Sequence, residues 1–260
     1  MNSKKHHTLC PDHGLLRANA SSKVLVVGIM LLVSIITLAH FTTATPAGPT
    51  ITYVSNSTYT APVANRSQDA KGTITVVTMS ANQQDYKWKA YVGNVTGHLA
   101  LDDANAKSIY DWALSTITGE VYASRTSSIN WANITCANTT VVTNEEAALG
   151  LAISIPDNIN NTFSYLNHTS FLVGTKNITQ DSCKSTATYV NSTAQVVNDT
   201  ANFQEILLQD GATGSLVYST LINNDQLGYD GVNTYDFQMI IAENESATIP
   251  TTYYFYVELG

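Results

Sequence analysis

Short segments rich in Val, Ile, Thr and Tyr recur along residues 72–260, and Gly, Asn or Asp residues separate most of them. Most segments run five to eight residues, which is the usual length of a β-strand. The segments are GTITVVTM from Gly72, YKWKAYVG from Tyr86, GHLALDD from Gly97, SIYDWAL from Ser108, GEVYAS from Gly119, SFLVG from Ser170, STATYV from Ser185, FQEILL from Phe203, SLVYSTLI from Ser215, YDFQMIIAE from Tyr235 and TTYYFYVEL from Thr251. This spacing predicts an all-β exterior domain over residues 72–260, an antiparallel β-sandwich of Ig-like or jelly-roll-like type.

Turn residues and side-chain alternation predict how some strands are arranged. Turns at residues 93–97 and 102–105 would fold residues 88–114 into a meander. Its first strand should place one set of side chains on one face and a second set on the other: Tyr86, Trp88, Ala90 and Val92, against Lys87, Lys89 and Tyr91. The last strand should turn Tyr253, Phe255, Val257 and Leu259 to the core, and Tyr254, Tyr256 and Glu258 away from it.

One helix start is indicated, at Thr143. Thr143 and Glu146 have the spacing of a capping box, in which each side chain bonds the backbone of the other residue. Pro156 follows soon afterwards, so we expect this helix to be short.

Acceptor patterns for N-glycosylation are unusually frequent after Thr45. There are 11, where the Asn, Ser and Thr content of residues 45–260 predicts about 5 by chance. The acceptors are Asn56, Asn65, Asn94, Asn133, Asn138, Asn160, Asn167, Asn177, Asn191, Asn198 and Asn244. A β protein rich in Asn and Thr forms such tripeptides without being modified, but the excess favours a glycosylated exterior.

The amino terminus indicates export. Residues 1–23 are basic, and residues 24–39 that follow carry no charge. Because basic residues beside a hydrophobic segment stay on the cytoplasmic side of the membrane, residues 1–23 are predicted to be cytoplasmic. Residues 24–43 are either a short transmembrane helix or the hydrophobic region of a signal peptide cut before Thr45, with small residues at Thr42 and Ala44. Both alternatives place the rest of the chain outside the cell. If the segment is not cleaved, the membrane is a partner through residues 24–43.

Charge and cysteine content agree with that location. Residues 45–260 hold 8 basic and 19 acidic residues, which argues against nucleic acid as a partner. The exterior holds one pair of cysteines, Cys136 and Cys183, which we expect to form a disulfide in an oxidising compartment. No metal site or cofactor is predicted, because His98 and His168 are the only exterior histidines and neither has ligand spacing to a cysteine.

Residues 45–71 are polar and contain Pro46, Pro49 and Pro62, which is typical of an extended stalk. Residues 50–54 alternate as a strand does. The alternative interpretation is therefore a donor strand that inserts at the sheet edge of a neighbouring molecule.

Residues 88–124, WKAYVGNVTGHLALDDANAKSIYDWALSTITGEVYAS, and the closing YYFYVELG resemble a group of exported archaeal cell-surface proteins that have no assigned activity. The resemblance covers about half of the exterior region. It implies a surface location and a β fold, and it transfers no catalytic residues.

Catalytic patterns are absent from the sequence: it has no G-x-S-x-G, HExxH or P-loop motif. We interpret His98 as a structural or surface residue, and His168 as exposed because it lies inside an acceptor pattern. Oxygen donors that could surround calcium occur at Asn223, Asn224, Asp225, Asp230, Asn233 and Asp236, but in the spacing of ordinary turn residues.

The sequence therefore predicts a non-enzymatic, N-glycosylated surface protein with a structural or adhesive role, such as a filament or coat subunit that assembles with itself or with other surface proteins. The alternative is a carbohydrate-binding module or a secreted hydrolase-like protein, which would use exposed tyrosines and acidic loops.

Overall fold

Most of the core strands belong to one antiparallel sheet of six strands, as seen in a computed structural model that describes residues 45–64, 69–151, 155–244 and 250–260. Within these ranges the strands are β1 (Trp88–Gly93), β2 (His98–Asp102), β3 (Ser108–Ala113), β4 (Gly119–Ser124), β5 (Ile134–Cys136), β6 (Phe171–Val173), β7 (Lys176–Ile178), β8 (Ser185–Ala187), β9 (Gln204–Asp210), β10 (Leu216–Leu221), β11 (Gln226–Leu227), β12 (Thr234–Tyr235), β13 (Phe237–Ala242) and β14 (Tyr254–Leu259). The six-stranded sheet has the order β14-β4-β10-β9-β5, and β8 also pairs with β9.

The remaining strands form two-stranded antiparallel pairs: β1 with β13, β2 with β3, β6 with β7, and β11 with β12. The all-β prediction is thus confirmed, while the Ig-like or jelly-roll-like sandwich type stays a prediction. In the described ranges, no helix has the length and apolar character needed to cross a membrane. The predicted hydrophobic helix at residues 24–43 lies outside those ranges.

The sheet is apolar on both faces, and alternation along β9 shows why. Leu207 points to one side, whereas Ile206 and Leu208 point to the other, and all three are fully buried. The helix-side core contains Leu207 with buried residues of α1 and β13. The disulfide-side core contains Ile206 and Leu208 with Cys183 and the β6–β7 hairpin. Both faces of the central strands therefore exclude water.

Helix α1 (Thr139–Leu149) covers the helix-side core and starts four residues before the predicted Thr143. Its N-cap is Asn138, whose Oδ1 accepts a hydrogen bond from the Val141 amide at 2.9 Å. The predicted box fails because Glu146 is buried and its Oε1 accepts from the Asn160 amide at 2.8 Å. That bond joins α1 to the short helix α2 (Ile159–Thr162).

The predicted meander is only half present. β2 and β3 form the expected hairpin, but β1 pairs with β13 instead of β2. Asp236 causes this, since its Oδ2 accepts from the Val95 amide at 2.8 Å and its own amide donates to the Gly93 carbonyl at 3.0 Å. The β1–β2 connection is thereby held at the start of β13. The ladder from Trp88 to Gly93 is unbroken, so the side chains of β1 alternate as predicted, and Lys89 Nζ lies over the Tyr91 ring on one face. Trp88 and Tyr91, one from each face, both pack against the helix-side core.

Residues 72–79, predicted to be a strand, form no ladder within the described part of the chain. Residues 45–64 are exposed except for Pro46. Ala47 forms a single antiparallel bridge with Val257 on the outer edge of β14. The segment 50–54 makes no strand pairing here, so its role as stalk or donor strand stays a prediction.

Candidate interaction surface

The β2–β3 hairpin is exposed along its whole length. A polar turn closes it: Asp103 Oδ1 accepts from the amides of Asn105 and Lys107 at 2.8 and 2.9 Å. Ser108 Oγ adds a bond to Asp102 Oδ1. The turn predicted at residues 102–105 is therefore confirmed, and it fixes the register of the two strands.

One face of this hairpin is apolar. Leu99 lies opposite Trp112, and Leu101 lies opposite Tyr110, so the four side chains share a face. About half of each side chain is exposed: 49% of Leu99, 51% of Trp112, 56% of Leu101 and 60% of Tyr110. The rings of Tyr110 and Trp112 meet edge to face with centroids 4.8 Å apart. We call these four residues the hairpin face. An apolar cluster of this kind on a surface is typical of an interaction site.

The opposite face of the hairpin is more polar. His98 and Asp111 lie there, with His98 Nδ1 3.3 Å from Asp111 Oδ2 and both side chains about two-thirds exposed. This places His98 at the surface, which is one of the two settings predicted for it. The hairpin is therefore amphipathic, like a strand pair that has one side covered.

The base of the hairpin is fixed to the body. A Cβ atom at Gly97 would lie 2.4 Å from Leu259 Cδ1, so the chain passes close to the last side chain of β14 at this point. On the other arm, Leu114 packs against the helix-side core. The hairpin face is consequently held in a defined position.

Buried acids form a second unusual feature. Glu120 and Glu258 are directly opposite across the β4–β14 ladder and are 8% and 4% exposed. Tyr122 Oη donates to Glu258 Oε2 at 3.1 Å, and the Gly174 amide donates to both oxygens of Glu258 at 2.8 and 3.0 Å. Burial, with a contribution from the Glu258 charge, raises the pKa of Glu120 to about 8, and burial also raises the pKa of Glu258.

Glu205 is a further acid with no exposure. Its Oε2 accepts from the Ile240 amide at 2.9 Å, whereas Oε1 meets no hydrogen-bond donor among the described residues. Desolvation raises the pKa of Glu205 well above its usual range. Burial thus favours the neutral form of this carboxyl, which joins β9 to β13 through its bond to Ile240.

A cavity of about 260 Å³ lies at the end of β4 beside Arg125 and Glu145. Arg125 donates from Nε and Nη2 to the two carboxylate oxygens of Glu145 at 2.6 and 2.8 Å. The paired charges neutralise each other at the wall of the cavity. Its volume is slightly below the range usual for small-molecule sites.

The acceptor asparagines lie at or near the surface wherever the structure describes them. Asn65 is outside the described ranges. The exposed acceptors are Asn56, Asn94, Asn133, Asn138, Asn167, Asn177 and Asn191, and the half-buried ones are Asn160, Asn198 and Asn244. At Asn138 the helix cap uses Oδ1, which leaves Nδ2, the atom that a glycan modifies, outside that bond.

Cys136 and Cys183 form the predicted disulfide. His168 bonds the backbone of the buried Cys183 and is itself fully buried. The prediction of an exposed His168 is therefore wrong. Its Nε2 accepts from the amides of Ser182 and Cys183 at 3.1 and 3.0 Å, and Nδ1 donates to the Thr169 carbonyl at 2.7 Å. The imidazole thus satisfies three backbone groups.

In the loop considered for calcium, side-chain oxygens accept hydrogen bonds from backbone amides. Asp236 Oδ1 accepts from the Asp225 amide, and Asp230 Oδ1 accepts from the amides of Val232 and Asn233. Asn223 and Asn224 likewise accept from the amides of Phe203 and Ile117. Across the described ranges, no three His, Cys, Asp or Glu side chains are grouped to hold a metal ion.

The last strand matches its predicted inner face: Tyr253, Phe255, Val257 and Leu259 pack against the helix-side core. Its other face is mostly covered as well. Tyr256 packs on Trp131 with ring centroids 5.1 Å apart, and Glu258 is buried, which leaves Tyr254 exposed.

Sequence reasoning missed the hairpin face. Its signal was the apolar alternation of Leu99 and Leu101 opposite Tyr110 and Trp112, but alternation does not show whether other strands cover a face.

No family model matches the chain, and neither does any curated protein or solved structure.

Proposed function

We propose that this chain is an N-glycosylated cell-surface protein with a structural or adhesive role, and that it acts through the hairpin face. The observation that carries the proposal is the exposure of Leu99, Leu101, Tyr110 and Trp112 together on a hairpin whose base is fixed. Binding energy in protein contacts comes largely from such clustered aromatic and aliphatic side chains.

The rest of the molecule supports a role in contact more than in catalysis. Glu120, Glu205 and Glu258 are buried and hydrogen-bonded to Tyr122 or to backbone amides. The Cys136–Cys183 disulfide suits an oxidising, extracellular compartment. Acceptor asparagines on the surface of the body agree with a glycan coat around it.

A carbohydrate-binding role is the second candidate, and the exposed rings of Tyr110 and Trp112 favour it because aromatic faces stack on sugars. The two roles differ in ligand. A glycan array probed with the full-length protein separates them: we expect no sugar to bind, and binding that is lost in Trp112→Asp would favour the carbohydrate role.

The proposal is tested by replacing the gene in the source cells with Trp112→Asp and with a matched control, Tyr189→Asp. Tyr189 is 55% exposed and lies outside the hairpin, whereas Trp112 is 51% exposed. We expect the Trp112 variant to be exported and disulfide-bonded but lost from surface assemblies in electron micrographs, and the control to behave as wild type. Wild-type assemblies from both variants would contradict the proposal.

A further inference from the structure

Residues 72–79 have a strand sequence, but they pair with no other strand in the part of the chain that the structure describes. Ile74, Val76 and Met79 are 97%, 93% and 87% exposed. The hydrogen bonds of this segment are local, such as those from Thr73 Oγ1 to the Ala70 carbonyl and from Thr75 Oγ1 to Asp69 Oδ2. Thr, Val and Ile favour strands in which their side chains are partly buried. In this segment they are instead exposed to water.

The β2–β3 hairpin, in turn, has strand edges that no described strand covers. Among the described strands, β2 and β3 pair only with each other, so both outer edges of the hairpin lack a neighbour. A two-stranded sheet is marginally stable in water, and a third strand adds a ladder of main-chain hydrogen bonds. Within the described ranges, each copy of the chain therefore has an unpaired strand segment and a hairpin whose two edges are open.

We propose that residues 72–79 of one copy pair as a third strand with the β2–β3 hairpin of a second copy. This inference rests on the proposed function and identifies the partner of the hairpin face. Ile74 and Val76 are two residues apart and lie on one side of an extended strand, where they can flank the apolar side chains of the hairpin face.

Charge restricts where two copies of the chain can make contact. The chain carries a net charge of −8, so two copies repel each other over most of their surfaces. Residues 72–84 contain no charged side chain, and Lys71 precedes them. The hairpin carries Asp102 and Asp103 with Lys107 at its turn, and Asp111 on the face opposite the apolar one. A contact between these two regions brings an uncharged segment against the apolar face and sets Lys71 near Asp102 and Asp103 at the turn.

The connection to the body allows the segment to reach another molecule. Eight residues, 80–87, separate it from β1 and can span about 27 Å when extended. Because the donor segment and the acceptor hairpin are different surfaces, the contact is head-to-tail and can propagate into a chain of subunits.

Two variants of the full-length glycosylated protein test this arrangement. Val76→Pro removes a strand amide and disables the donor, and Trp112→Asp places a charge in the hairpin face and disables the acceptor. Val54→Pro is the control, because Val54 is 89% exposed and lies in the other candidate donor, residues 50–54. Sedimentation velocity measures the size of the assemblies.

We expect wild type and Val54→Pro to form assemblies larger than dimers, and each disabled variant alone to be monomeric. An equimolar mixture of Val76→Pro and Trp112→Asp should form dimers and stop there, because it contains one working donor and one working acceptor. If Val76→Pro assembles as wild type does and Trp112→Asp does not, another partner covers the hairpin and only the donor assignment fails. If both assemble as wild type, the hairpin role fails too. A monomeric wild type, or a defect confined to Val54→Pro, also overturns the inference.

Discussion

Glu120 and Glu258 face each other across the β4–β14 ladder, in a site that is closed to water and shared with Tyr122 Oη. Two adjacent carboxylates in such a site do not both ionise at neutral pH, because burial and mutual repulsion both favour a bound proton. The pair therefore links the stability of the sheet to pH.

We predict that the protein is less stable at high pH. In the unfolded chain Glu120 loses its proton near its ordinary pKa of 4.5, whereas the folded protein holds it up to a pKa of about 8. Its contribution to stability is present below about pH 4.5 and is lost as the pH rises through 8, by at most about 5 kcal/mol. Guanidinium unfolding between pH 4.5 and 8.5 should show this decrease.

The matched variant is Glu120→Gln, which should reduce the slope of stability against pH without abolishing it, since burial also raises the pKa of Glu205. Asp225→Asn, at an exposed position, should leave the slope unchanged. Equal slopes in wild type and Glu120→Gln would show that Glu120 is ionised in the folded protein.

His168 should be important for stability and not for surface chemistry. His168→Leu leaves the amides of Ser182 and Cys183 and the Thr169 carbonyl without their partner, which costs about 3 kcal/mol. His98→Leu, at an exposed position, should change the free energy of unfolding by less than about 0.5 kcal/mol. Urea unfolding curves measure both, and similar small losses would contradict the buried role of His168.

Asn138 combines a helix cap with a glycosylation acceptor, and three substitutions separate the two roles. Asn138→Ala removes both and should destabilise the protein by about 1 kcal/mol. Asn138→Asp keeps a capping oxygen but cannot be N-glycosylated, so stability should be retained. Thr140→Ala destroys the acceptor pattern and leaves the cap. Thermal unfolding together with glycopeptide mapping distinguishes these results, and a destabilised Asn138→Asp would argue against the cap.

Removal of the disulfide should destabilise the body. The cysteines are 47 residues apart, so the bond restricts a long loop of the unfolded chain and stabilises the fold by about 4 kcal/mol. The double variant Cys136→Ala/Cys183→Ala should melt at a lower temperature and no longer respond to reductant. Cys10→Ser serves as the control and should melt as wild type does. An unchanged melting temperature in the double variant would contradict this role.

Local patterns predicted the central sheet well. The segments that form β4, β9, β10 and β14 have alternating or continuous apolar residues, which is typical of strands. The disulfide could be predicted because the exterior region contains a single pair of cysteines. These features depend on neighbouring residues or on a small number of candidates. The inner face of β14 was predicted correctly because alternation fixes it without knowledge of the partner strand.

Long-range contacts explain the errors. The pairing of Trp88 with Ala242 joins residues far apart in sequence, and no local turn signal indicates it. His168 was placed at the surface because it lies in an acceptor pattern, but only Asn167 must be accessible for modification, and the ring beside it turns inward to Cys183. The helix start was misplaced because Asn138 and Thr143 both offer capping side chains, and tertiary contacts of Glu146 decide between them.

The most direct test of a surface protein that acts through contacts between copies is lysine cross-linking of intact source cells with a reagent that cannot cross membranes. Lys71 beside the donor segment and Lys107 in the hairpin turn are both exposed. We predict cross-linked multimers joined between Lys71 of one copy and Lys107 of another, with any lysine in residues 1–23 unreacted. A chain that reacts only after the cells are lysed, and is then recovered as a monomer, would contradict the account.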